Sequence, residues 1–132
     1  MKTKIEKRQR LVFICQVFYP DYSSTSQLYT ELLGHLSKAN LEVKVICGYP
    51  ALYNQDAAVP RQEIYEGILI QRVGVSVNYR RNLFYRAVHY LAFILGVMKE
   101  VIFSTQIDDR IVALTNPPIL PACLGIIRKI KR

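Results

Sequence analysis

Small hydroxylated side chains follow the first apolar run of the chain, and their types suit them to bind phosphate. Ser23, Ser24 and Thr25 come directly before a segment with helical periodicity. A helix N-terminus presents free backbone amides and a partial positive charge, so it favours a phosphate or diphosphate group. Serine before a helix is also an ordinary capping residue, and Ser24 with Gln27 has the capping-box spacing. Both interpretations stay open.

Other chemistry is weakly represented in the sequence. Asp21 could accept a hydrogen bond from a sugar hydroxyl, although aspartate is also common in turns for conformational reasons. His35 and His89 have no carboxylate or second metal ligand nearby in the sequence, so both are predicted to be structural. The chain contains no GxGxxG after its first apolar run and no GxxxxGK[ST]. We therefore predict no metal and no cofactor, and we assign no catalytic residue.

An aromatic and basic cluster precedes a very apolar segment. Its members are Arg80, Arg81, Phe84, Tyr85 and Arg86. Residues 87–98, which follow, contain no formally charged side chain, but twelve residues fall short of the roughly 20 that cross a bilayer. The segment is therefore either a helix packed against a sheet or an interfacial anchor. In the anchor, the aromatic rings would lie at the headgroups and the arginines would attract anionic lipid.

The elements that must position these residues follow an α/β order. The predicted elements are a strand over 11–18, a helix from about Thr25 to Asn40, a strand over 42–47, a hairpin of 62–65 and 68–73, a helix from Leu83 to about Phe103, a strand over 110–114 and a helix over 119–131. In the first helix Leu28, Leu32 and Leu36 form the expected apolar stripe. The first strand, helix and second strand make a βαβ unit with parallel strands.

The predicted fold class is α/β: a Rossmann-like parallel sheet with flanking helices and an inserted β-hairpin. Three parallel core strands would leave an apolar edge open, so we expect further strands after residue 132. The predicted domain organisation is a basic tail over 1–10 and one partial Rossmann-like domain over 11–132.

Charge and cysteine usage exclude several classes of protein. The net charge is +8, of which 1–10 contribute +4 and 128–132 contribute +4, while 11–127 carry nine charges of each sign. These terminal charges do not interleave with aromatic residues, so nucleic acid is not an expected partner. Cys15, Cys47 and Cys123 lie far apart without CxxC spacing, which predicts buried thiols in a reducing cytoplasm.

Four stretches, taken in their order and spacing, resemble a known family. Residues 16–28, 40–48, 65–73 and 113–118 are similar to segments of the retaining glycosyltransferases of family four, which have the GT-B fold. The likeness is greatest to members that act on lipid-linked sugars. It implies that the chain is the first part of the N-terminal, acceptor-side domain of such an enzyme.

The resemblance also implies roles for individual residues. The cleft loop beside the donor diphosphate would contain Asp21, Ser23, Ser24 and Thr25, and the acceptor side would contain Tyr49, Pro50, Thr115 and Asn116. The stretch from Arg80 to Arg86 would approach the membrane. The family often has a Gly-Gly pair where this chain has Ser23 and Ser24, and this difference weakens the implied phosphate contact.

The implied activity is transfer of a sugar from a nucleotide-sugar to a lipid-linked or saccharide acceptor, as in polysaccharide biosynthesis. The family's donor domain, with its glutamates and basic residue, has no counterpart in these 132 residues. We therefore expect no transfer by this polypeptide alone, and we expect either a partner chain with the C-terminal domain or self-association. The expected location is cytoplasmic, with peripheral contact on the inner face of the membrane. The alternative is a non-catalytic module that binds a membrane surface or a protein.

Overall fold

The computed structural model describes residues 9–19, 24–49, 59–74, 83–105, 109–114 and 120–131. Over these ranges the chain forms five strands and three helices. They are β1 (Arg10–Ile14), α1 (Ser24–Lys38), β2 (Glu42–Cys47), β3 (Gln62–Tyr65), β4 (Ile68–Arg72), α2 (Leu83–Ser104), β5 (Arg110–Ala113) and α3 (Leu120–Lys131). The predicted α/β class is confirmed, and the arrangement is compatible with a Rossmann-like fold.

The strands form one mixed sheet in the order β3-β4-β2-β1-β5. β1 pairs in parallel with β2 and β5, and β2 pairs in parallel with β4, whereas β3 pairs antiparallel with β4. The expectation of three parallel strands is therefore wrong, because β4 lies beside β2 and makes a fourth. The turn between β3 and β4 contains Glu66 and Gly67, both with positive φ (53° and 78°). This is the conformation that a tight two-residue hairpin requires.

Two hydrophobic cores cover the two faces of the sheet. On one face α1 packs through Leu33 against Phe13, Val45 and Ile70. On the other face α2 and α3 pack together over a second cluster, whose members include Val12, Ile14, Ile46, Phe93, Val97, Leu124 and Ile127. Successive residues of β1 thus serve opposite cores, which explains its uninterrupted apolar sequence.

The buried face of α1 differs from the predicted stripe. Leu28 and Leu32 are 61% and 48% exposed, whereas Leu33 is 1% exposed. Apolar residues occupy a wide arc of this helix, and the sheet contacts the edge that contains Tyr29, Leu33 and Leu36. Periodicity predicts an apolar arc, but only the tertiary contacts select the part of the arc that is buried.

The first strand is shorter than predicted, since it ends at Ile14 and not at residue 18. The chain beyond it still follows β2 for a short distance. The amide of Cys15 donates to the carbonyl of Ile46, and the amide of Gly48 donates to the carbonyl of Gln16, both at 3.1 Å. These bonds hold the start of the β1 loop against the end of β2.

Candidate functional site

The strand order reverses at β1, and this reversal defines a crevice. β1 lies between β2 and β5. The helix after β1 packs on one face of the sheet, and the helix after β5 packs on the other. Loops that leave neighbouring strands toward opposite faces open a gap at the carboxyl ends of those strands, where open α/β sheets bind their ligands.

The described members of the predicted cleft loop lie at this edge of the sheet. Ser24 and Thr25 are exposed and form the start of α1, which follows the carboxyl end of β1. Ser24 is the first helical residue and not the residue before the helix, a difference within the usual uncertainty of helix boundaries. The start of the first turn is therefore open to solvent at these two residues, whereas Ser26 in the same turn is 1% exposed.

The predicted acceptor side is described only in part. Tyr49 is half-buried and lies two residues after the end of β2. The amide of Leu114 donates to the carbonyl of Ile14 at 3.1 Å, so the chain leaving β5 reaches the same edge. Of the residues predicted for the cleft loop and the acceptor side, five lie outside the described residues: Asp21, Ser23, Pro50, Thr115 and Asn116.

Arg72 is the most buried charged residue described at this edge, and no sequence pattern singled it out as a site residue. Its side chain is 0% exposed. Its Nη1 donates to the carbonyl of Pro60 at 2.8 Å, and its Nη2 donates to the carbonyl of Tyr19 at 2.9 Å and to Glu63 Oε1 at 2.5 Å. One signal in the sequence was available: Arg72 continues the alternation of Ile68 and Ile70, so it points to the same core.

Two cysteines also meet at the carboxyl ends of the strands. Cys15 and Cys47 extend the parallel register of β1 and β2, and both are buried and neither forms a disulfide. Burial raises the pKa of the Cys15 thiol, and the neighbouring Cys47 raises it further. A thiol with a raised pKa is a poor nucleophile, so this position fits the predicted role of small buried residues. Cys123 differs from the prediction because it is half-buried.

The predicted membrane-surface residues belong to the start of α2 and the segment before it. Phe84 and Arg86 are exposed and Tyr85 is half-buried, while Arg80 and Arg81 lie outside the described residues. By length and composition α2 could cross a membrane, with a mean hydropathy of 1.5 over 18 residues. Core helices of soluble proteins pass the same test, but here only 22% of that window is buried.

The outward side of α2 is apolar and its charged neighbours are basic. Leu91, Leu95 and Ile102 are exposed, opposite the buried residues Phe93 and Val97. The exposed charges on the described parts of α2 and α3 are Arg86, Lys99, Arg128 and Lys129, and no exposed carboxylate accompanies them there. We call the surface formed by Leu91, Leu95, Ile102 and Lys99 the α2 face, and it combines apolar area with a positive charge.

The two histidines do not join the site. His35 is exposed on α1, and His89 is buried on the inner side of α2. Among the described residues, no group of three His, Cys, Asp or Glu side chains is placed to hold a metal ion. An open cavity of about 250 Å³ lies between the C-terminal half of α1 and the β3–β4 turn, on the far side of α1 from Ser24.

Comparison of the chain with family models, with curated proteins and with solved structures finds no match. The resemblance to glycosyltransferases therefore rests on the four sequence stretches, and it stays a prediction.

Proposed function

We propose that the chain forms the first part of the acceptor-side, Rossmann-like N-terminal domain of a GT-B glycosyltransferase, with its ligand at the carboxyl edge of the sheet. The observation that carries the proposal is the exposed start of α1 at the point where the strand order reverses. Ser24 and Thr25 are exposed at this helix start. Such a position suits the diphosphate of a nucleotide-sugar.

The residues divide the binding between two ligands. The amides near Ser24 and Thr25 bind diphosphate oxygens, with Asp21 and Ser23 beside them by resemblance. Tyr49 supplies an aromatic ring and a hydroxyl to the saccharide or lipid-linked acceptor, together with Pro50, Thr115 and Asn116. Transfer requires donor and acceptor to be held together in a closed cleft. We therefore expect this polypeptide alone to bind its ligands without transferring sugar.

A titration with inorganic pyrophosphate, followed by amide NMR of the 132-residue chain, tests the proposal. We expect saturable shifts at Ser24 and Thr25. Replacement Ser24→Asp adds a negative charge that favours the helix terminus but repels the anion, so affinity falls while stability is kept. The matched control is Ala39→Asp, which adds the same charge at the exposed far end of α1. Shifts spread evenly over the basic surface, or equal losses in both variants, contradict the proposal.

A second candidate function is a non-catalytic module that binds an anionic membrane surface, and the α2 face favours it. Amphipathic helices bind membrane interfaces through apolar area and through attraction between basic residues and anionic lipid. The α2 face offers both, because Leu91 and Leu95 are exposed and the exposed Lys99 lies beside them on the helix surface. The two functions are compatible, because the face and the crevice occupy different parts of the molecule.

Liposome sedimentation tests whether the exposed apolar residues of the α2 face bind a membrane. We expect binding to vesicles with anionic lipid, weaker binding in high salt, and little binding to neutral vesicles. Leu91→Gln with Leu95→Gln should abolish the binding. The matched control is Leu28→Gln with Leu32→Gln, because these two leucines are comparably exposed on α1. Equal binding to both kinds of vesicle, or equal loss in the two double variants, excludes the α2 face as the membrane contact.

A further inference from the structure

Arg72 occupies an unusual position for a charged residue. It ends β4 at the carboxyl edge of the sheet, and it is the largest side chain among those described that is completely buried. A fold that only needed to fill this volume could use an apolar residue, because buried ion pairs are often replaced by apolar residues without loss of stability. The need to fill space therefore does not account for a buried guanidinium at this position.

The acceptors of Arg72 belong to two separate segments that enter the proposed site. Tyr19, whose carbonyl accepts from Nη2, lies in the loop that leads from β1 to Ser24. Pro60, whose carbonyl accepts from Nη1, lies in the segment that leads from β2 into β3. One planar group thus joins the loops that follow two adjacent parallel strands.

A second contact joins the same two parts of the chain. The rings of Tyr19 and Tyr65 stack with centroids 3.9 Å apart and planes 12° from parallel. Glu63, on the same strand as Tyr65, accepts from Nη2 of Arg72. The β1 loop is therefore fixed to β3 by a ring pair and by a guanidinium that bridges to both.

The geometry requires arginine and not merely a positive charge. Two of the three acceptors are main-chain carbonyls in irregular backbone, and they lie on different nitrogens of the fork. A lysine ammonium is a single point and cannot span them. The Nε–H of Arg72 is buried without an acceptor in the part of the chain that the structure describes. Arg72 therefore makes its Nη hydrogen bonds although its Nε–H donor stays unsatisfied.

We propose that Arg72 is a positioning residue for the ligand crevice: its guanidinium clamps the β1 loop to the segment that enters β3, so that the first turn of α1 is presented from a rigid base. This role rests on the proposed function, because that function places the ligand at the first turn of α1. Arg72 itself is buried and touches no ligand.

Hydrogen exchange on the full 132-residue chain tests the clamp directly. We expect amides of 16–19 and 61–64 to exchange about tenfold faster in Arg72→Lys, the factor expected for loss of one hydrogen bond to a charged group. Amides of β1 and β2 should change less. The control is Lys44→Met, which alters a buried cation on the opposite face of the sheet and should leave both segments protected.

Two further measurements exclude a purely structural role. In Arg72→Gly, millimolar methylguanidinium should restore protection of the two segments, whereas methylammonium should not. The affinity for inorganic pyrophosphate should fall about tenfold in Arg72→Lys and stay at the wild-type value in Lys44→Met. Retained affinity in Arg72→Lys, or exchange that rises equally throughout the sheet, overturns the proposal. A wild-type chain that binds no pyrophosphate counts against the proposed function, whereas the exchange pattern alone then decides whether the clamp exists.

Discussion

Among the described residues, each face of the sheet buries one cation, and the two cations are stabilised differently. On the α1 face, Arg72 donates to two loop carbonyls and to Glu63. On the opposite face, Lys44 lies beneath α2 with its Nζ 3.8 Å from Glu100 Oε2. That carboxylate oxygen also accepts from the hydroxyl of Ser104 at 2.9 Å. Arg72 thus has several close acceptors, whereas Lys44 has one distant carboxylate.

This difference separates a residue that positions loops from a residue that is merely accommodated. Two acceptors of Arg72 are carbonyls of irregular backbone, which need a donor when they are buried. Around Lys44 the charges fasten regular elements: Arg10 on β1 pairs with Asp109 beside β5 and donates to the carbonyl of Ser104 at 2.8 Å. We therefore expect the chain to tolerate an apolar replacement at Lys44 and not at Arg72.

Removing each cation in turn should give the largest difference in stability between the two faces. Arg72→Met leaves the carbonyls of Tyr19 and Pro60 without their donor, so we expect a loss of about 3 kcal/mol in the free energy of unfolding. Lys44→Met removes a poorly paired buried charge, so its stability should stay the same or rise by about 1 kcal/mol. Urea unfolding measures both. Equal losses in the two variants would erase the distinction.

A smaller difference in stability is expected between glycine-to-alanine changes in the two helices on the α2 side of the sheet. A Cβ at Gly96 of α2 would lie 2.8 Å from the Cβ of Val73 and 3.1 Å from the amide nitrogen of Gly74. The backbone of Val73 cannot move freely, because its amide donates to the carbonyl of Cys47 at 2.8 Å. We expect Gly96→Ala to cost about 1–2 kcal/mol in thermal or urea unfolding, because overpacking exceeds the gain in helix propensity.

The matched control for Gly96 is Gly125 in α3, where a Cβ meets nothing within 4 Å. Gly125→Ala should therefore be neutral or stabilising by up to about 1 kcal/mol. If both alanine variants were stabilised alike, α2 would not approach β4 as closely as described.

The smallest expected effect is a pH dependence at Lys44. Desolvation lowers the pKa of its ammonium below the ordinary value of 10.5, and the nearby Arg10 lowers it further, although Glu100 and Asp109 act in the opposite direction. The unfolded chain then binds more protons than the folded chain in the window below 10.5, so this contribution to stability rises with pH. The excess of the free energy of unfolding of Lys44→Met over that of the wild type should therefore become smaller from about pH 8 to about pH 10. A constant difference in urea midpoint across this range would show that the folded pKa is not lowered.

How far the sequence predicted the fold depends on how local each signal was. The bounds of β2 were predicted as observed, because Glu42–Cys47 alternates and is flanked by clear breaks. The β3–β4 turn was predicted from Gly67, whose positive φ is a local property of the backbone. By contrast, the burial of Leu33 in place of Leu32 depends on how α1 lies against the sheet.

The candidate site shows the same division. The hydroxylated residues Ser24 and Thr25 were proposed from their types and their position at the start of a helix, which are local properties of the sequence. Arg72 was missed because its acceptors lie 53 residues away at Tyr19 and 12 residues away at Pro60. A pattern over a few neighbouring residues does not predict a hydrogen bond between residues so far apart in the sequence.

The kinds and order of the elements followed from local sequence, because hydrophobic periodicity, turn residues and caps act over a few neighbouring positions. Three features depended on packing: β4 joins the parallel strands, the outward side of α2 is apolar and exposed, and one guanidinium bonds to two loops. These features depend on which distant surfaces exclude water from one another, and that is fixed when the helices and the sheet pack together.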